Sequence, residues 1–141
     1  MTSRVERAFE VDGKPESVWA FIADPGNRAD AISVVDRWET EGDETIWYLE
    51  LPIPLIGGTV AVRTRDLERA PPDRVRFTGR SSVMHVTGEH SLEPLNGGTR
   101  VTNEFTVDGQ LPGVEGFFKR NLADELENLR RALQAHLDGT Q

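Results

Sequence analysis

Up to about residue 109 the apolar positions recur mostly at every second residue, and from Pro112 onward at every third or fourth. The first spacing suits strands with one buried face, the second one stripe of a helix. Residues 4–11 alternate, with Val5, Phe9 and Val11 on one side and Arg4, Glu6 and Glu10 on the other, predicting a strand whose inner face carries Arg7 as its odd member. In KPESVWAFIADP, Pro15 suits a first helical position, Val18, Phe21 and Ile22 form a short stripe, and Pro25-Gly26 ends it. A second short helix or turn is expected around Asn27 to Ala31.

Residues 33–40 and 45–51 flank the turn Glu41-Gly42-Asp43-Glu44, which sets Trp38 across from Trp47. The inner face of that hairpin is expected to hold Val34, Asp36, Trp38, Trp47, Leu49 and Leu51, with Ile46 and Tyr48 outside. PIPLIGG, residues 52–58, is too rich in Pro and Gly for a central strand and reads as a loop. Residues 59–69 turn Val60, Val62 and Thr64 inward, but the same parity would bury Asp66 and Glu68 and expose Leu67, so a bulge is expected there. Residues 74–80 direct Val75, Phe77 and Gly79 inward, and residues 83–94 direct Met84, Val86, Gly88, His90 and Leu92. Asn96-Gly97 is a two-residue hairpin signal that pairs Leu92 with Val101, His90 with Asn103 and Gly88 with Phe105. The same register opposes Glu89 to Glu104, unfavourable unless Arg74 stands by.

The closing stretch, Pro112 to Gly139, places Val114, Phe118, Leu122, Leu126, Leu129, Leu133 and Leu137 on one stripe. At ~1.5 Å per residue it runs roughly 40 Å, about the width of a small domain, so it must lie along the sheet that precedes it. Consecutive hairpins and one long helix define an α+β fold, with the helix on one face of an antiparallel sheet.

Composition narrows the partners. A chain of 141 residues is expected to form a single domain over 1–141. Its 24 acidic and 16 basic residues give a net charge of -8 with no basic run beyond Arg130-Arg131, which argues against nucleic acid and anionic membranes. The absence of cysteine excludes disulfides and thiolate chemistry. No signal-peptide pattern and no apolar run of ~20 residues is present, so stable membrane insertion is not expected and a cytoplasmic location is. P-loop, G-x-S-x-G, H-E-x-x-H and dinucleotide fingerprints are missing, and the three histidines lack ligand spacing; no cofactor and no metal are expected.

The stretches FEVDGKPESVWAFIADPGN and GEHSLEPLNGGTRVTNEF, with the terminal helix, resemble the START/SRPBCC superfamily, in particular its single-domain polyketide cyclase/dehydrase-like members and those associated with carbon monoxide dehydrogenase. The likeness spans nearly the whole chain and includes no catalytic signature. It implies the helix-grip fold: a curved seven-stranded antiparallel sheet wrapped around the C-terminal helix, with one or two short helices after the first strand. It also implies a cavity between sheet and helix for a lipid, polyketide or aromatic compound.

Within that frame, binding of a hydrophobic small molecule is the first expectation. Trp38, Trp47, Val62, Phe77, Met84, Phe105, Phe118, Leu122 and Leu126 are the candidate lining, and each could equally fill the core. An enzyme of the cyclase or dehydratase kind would draw on His90, Asn103 and Asp36 as acid, base or carbonyl-orienting groups. His90 and Asn103 could instead satisfy one another's hydrogen bonds in a core, and Asp36 could pair with Arg7 or face solvent. A protein-interaction or assembly module is the third reading. Monomer and homodimer are both compatible with the sequence.

Overall fold

A computed structural model of the chain describes residues 2–53, 56 and 58–139. The elements are β1 (Thr2–Val11), α1 (Pro15–Ile22), α2 (Pro25–Asp30), β2 (Val35–Glu41), β3 (Glu44–Glu50), β4 (Thr59–Ala70), β5 (Arg74–Arg80), β6 (Met84–Leu95), β7 (Gly98–Gly109) and α3 (Val114–Gly139). Both short helices begin at prolines, whose fixed φ suits the first turn. The Asp24 side chain caps α2 by accepting from Gly26 N at 2.8 Å, whereas Lys14 gives α1 no cap bond.

The strands form one antiparallel sheet in the order β1-β7-β6-β5-β4-β3-β2, so β1 and β2 are its edges. Between β6 and β7 the chain turns at Asn96-Gly97, where Gly97 takes φ +79, a left-handed value that glycine adopts without a Cβ penalty. This turn sets the expected register: Leu92 opposes Val101, His90 opposes Asn103, and Gly88 opposes Phe105. Glu89 also opposes Glu104 on the outer face. Arg74 lies 3.3 Å from Glu89 and Arg4 3.0 Å from Glu104, so cations from both neighbouring strands offset the repulsion.

The curved sheet grips α3, which buries Val114, Phe118, Leu122, Leu126, Leu129, Leu133 and Leu137 against it. This is the helix-grip fold. Val62, Val75, Val101 and Leu133 are fully buried between the two layers. No helix among the described residues is long and apolar enough to cross a membrane.

Four expectations need correction. The pairing of β2 with β3 slips between Val35 and Arg37, and Asp36, at that irregularity, is exposed rather than inward. Arg7 is exposed on β1, at the opposite edge of the sheet, so it forms no pair with Asp36. Ile46, assigned outside, is nonetheless only 2 % exposed. In β4 the bulge falls between Asp66 and Glu68 as the broken pattern suggests, yet Asp66 stays largely buried and Leu67 remains exposed, because Asp66 has a buried partner. Of the loop 52–58, Pro52, Ile53, Ile56 and Gly58 lie outside helices and strands, while Pro54, Leu55 and Gly57 lie outside the described residues.

Candidate functional site

Between the sheet and α3 lies a cavity with about 50 Å³ open to the centre of a water molecule. On that measure one water needs roughly 10–15 Å³, so the space exceeds a single water several-fold. It is far too small for a lipid chain. Trp47, Val62, Phe77, Met84 and Phe105 from the sheet and Phe118, Leu122 and Leu126 from α3 line it. Trp38, expected with them, does not. Its Nε1 donates to Asp30 Oδ1 at 2.6 Å and its ring covers Gly26, where a Cβ would come within 2.4 Å of the ring. The glycine at the start of α2 thus draws that indole toward the short helix.

The wall is apolar almost throughout, although Arg28, His90 and Glu125 belong to it. Each is held by a partner. Arg28, 3 % exposed, donates from Nη2 to Asp66 Oδ1 at 2.6 Å and from Nη1 to the Ile22 carbonyl at 3.2 Å. Its guanidinium carbon sits 5.0 Å from the centre of the Phe77 ring. Burial pulls the Arg28 pKa below its ordinary value, and the Asp66 carboxylate opposes that shift. Arg69 donates to the other Asp66 oxygen at 2.7 Å from a more exposed position. Glu125 accepts from Ser33 N at 2.6 Å and Ser33 Oγ at 2.5 Å, tying the middle of α3 to the α2–β2 loop.

His90, 1 % exposed, stacks along Phe77 with ring centres 6.1 Å apart and meets the edge of Phe105 at 5.5 Å. Its Nδ1 lies 2.7 Å from Asn103 Oδ1. The amide of Asn103 is oriented independently, since Nδ2 donates to the Arg7 carbonyl at 3.1 Å and the Val101 carbonyl at 3.4 Å. Its oxygen must therefore accept, which places the imidazole proton on Nδ1. Burial, reinforced by the nearby Arg28 charge, lowers the His90 pKa from 6.5 to about 4, so the ring is neutral at neutral pH and Nε2 carries a lone pair. A ring in that state cannot donate to a ligand carbonyl, the role the sequence suggests for the pair. Asn103 is fully buried and does not line the cavity.

Sequence reasoning misses Arg28, Asp66 and Glu125. For Glu125 a signal is present, since it stands three residues after Leu122 and four before Leu129, on the apolar stripe itself. For Asp66 the signal is its inward parity, which a bulge alone does not remove. Arg28 offers none, because a six-residue helix has too few turns to show a face. Among the described residues no group of three or more His, Asp or Glu could hold a metal ion.

The sequence model of the family described as polyketide cyclase / dehydrase and lipid transport matches residues 2–134. No curated protein matches the chain. Among solved structures, a START superfamily protein from Mycobacterium smegmatis superposes with a TM-score of 0.75 at 15% identity, covering 98% of this chain and 99% of its own. The Zhui aromatase/cyclase from Streptomyces sp. R1128 superposes with a TM-score of 0.66 at 16% identity, covering 99% and 93%. A Deinococcus radiodurans protein gives 0.72 at 21% identity, covering 96% and 99%. At these identities the likeness is one of fold.

Proposed function

We propose, from the premise that the chain belongs to the polyketide cyclase / dehydrase and lipid transport family, that it is a single-domain carrier or sensor binding a small hydrophobic molecule between its sheet and α3. The observation that carries this reading is the cavity itself: apolar-walled and bordered by four aromatic rings, Trp47, Phe77, Phe105 and Phe118. A well-packed core closes such gaps, because empty space under side chains forfeits contact energy. Its size favours a compact ring over a long chain.

An enzyme of the cyclase or dehydratase type draws less support from these residues. Asp36 is on the surface, and a His90 that titrates near 4 is a weak base at neutral pH, where a general base works best with a pKa close to the ambient value. The similarity to an aromatase/cyclase keeps that reading second.

Titration with toluene, followed by tryptophan fluorescence, tests the proposal, since Trp47 borders the cavity. Saturable binding is expected, and Leu122→Trp, which fills the space from the α3 side, should abolish it with the circular dichroism spectrum unchanged. Binding that survives this substitution, or no binding by the wild-type protein, overturns the assignment.

A further inference from the structure

The sheet has a second face, turned away from α3, and its register gathers basic side chains there. Arg63 on β4 stands directly opposite Arg80 on β5, and Arg80 in turn opposes His85 on β6. Arg65, two residues along β4 from Arg63, lies on the same face. Directly opposed like charges are unfavourable, and elsewhere on this face ion pairs offset them, Glu89 with Arg74 and Glu104 with Arg4. Here the acids do not follow. Glu44 opposes Arg65 in register but reaches Arg63 instead, at 3.1 Å, and Arg65 and Arg80 have no ion pair or hydrogen bond among the described residues. In a chain with 24 acidic and 16 basic residues, a shortage of carboxylates does not explain two neighbouring arginines without a counter-ion.

The three arginines line one open recess together with Glu44, His85 and Leu67, with about 520 Å³ accessible to water against about 50 Å³ under the helix. Leu67, at 47 % exposure, is the only exposed large hydrophobic side chain among the described residues. We infer that this recess binds a soluble phosphate monoester with a small apolar body, its phosphate held by Arg65 and Arg80 beside Arg63 and its body resting on Leu67. Three arginines against one glutamate leave the recess two positive charges in excess, and a phosphate monoester carries about two negative ones at neutral pH. A carboxylate brings one charge and two oxygens, which one guanidinium fork satisfies, and the second arginine would stay unmatched. The net charge of -8 disfavours an extended polyanion such as nucleic acid, whose contacts beyond the recess would meet acidic surface. The recess is independent of the cavity, because Val62 and Phe77, which line the cavity, point to the other face of the same strands.

Titration with phenyl phosphate, followed through the backbone and arginine side-chain signals in nitrogen-15 NMR spectra, tests this. Saturable shifts are expected at Arg65, Arg80 and Thr78, the residue opposite Arg65, and they should weaken in high salt. Arg65→Gln combined with Arg80→Gln should reduce affinity by about tenfold or more. Both side chains are exposed, so the variant should keep the folded spectrum. Leu67→Ser should weaken phenyl phosphate several-fold and leave inorganic phosphate unchanged. Benzoate, the same ring with a single charge, should bind about tenfold more weakly than phenyl phosphate. No saturable shift in the wild-type protein, binding that survives the double substitution, or benzoate binding as tightly overturns the inference. So does capture of the protein by phosphatidic acid vesicles without binding of phenyl phosphate, which would assign the arginines to a membrane surface.

Discussion

Two buried polar clusters border the same cavity, and the chain assembles them in different ways. The His90–Asn103 pair is made by adjacent strands in a register that one hairpin turn dictates, and the donors and acceptors of Asn103 all find partners within the sheet. The Arg28–Asp66 pair is made by a short helix and a bulged strand separated by thirty-eight positions, and it leaves Arg28 Nε without a partner. A charge pair assembled across the fold depends on its second member, whereas a neutral pair inside a ladder loses less when one side goes.

The comparison can be broken at its most sensitive point first. Asp66→Ala strands a buried guanidinium and should cost about 3–5 kcal/mol in urea denaturation, whereas Arg28→Met with Asp66→Leu should lie much closer to wild type. A small loss in Asp66→Ala, matched by the double variant, would show that Arg28 reaches water unaided.

Acid comes next. The folded His90 titrates near 4 against 6.5 for the free residue, so the unfolded chain binds a proton that the folded chain refuses. Its contribution is complete above pH 6.5 and is lost as pH falls toward 4, roughly 3 kcal/mol in all at ~1.4 kcal/mol per unit. Denaturation between pH 6.5 and 5, above the ordinary range of carboxylates, should show this slope, and His90→Leu should flatten it. The charged neighbours Arg28 and Asp66, and Glu125 across the cavity, are present in both proteins. An unchanged slope would mean that His90 is not the group responsible.

Smaller again, Asn103→Ala should cost about 1–3 kcal/mol, since it leaves the Nδ1–H of a buried ring unanswered. A cost as large as that of Asp66→Ala would erase the distinction between the clusters. At the bottom of the scale, Glu127→Gln removes a solvent-facing fork to Arg130 on α3, and the denaturation midpoint should not move.

The same contrast explains what could be read from residues alone. Strand alternation and Asn96-Gly97 are enough to place His90 opposite Asn103, because a two-residue turn leaves no freedom in register. The stripe of α3 is legible for the same reason, as a local period. Asp36 is misplaced by parity because one irregularity in β2 reverses every such argument that crosses it. Trp38 is misplaced because its partner, Gly26, belongs to another element. Arg28 and Asp66 meet only after α2 has packed, and no local rule encodes that meeting. The wall of the cavity is therefore readable from spacing, and its charged corner is not.

The strand order carries one more consequence. Val11 pairs with Thr99 and Thr2 with Asp108, so the first strand of the chain is hydrogen-bonded only to the last. During synthesis from the N-terminus, β1 must wait for almost the entire sheet to emerge before its backbone has a ladder to join. Closing so distant a contact is the slow kind of step in folding, while β2 through β7 can zip hairpin by hairpin.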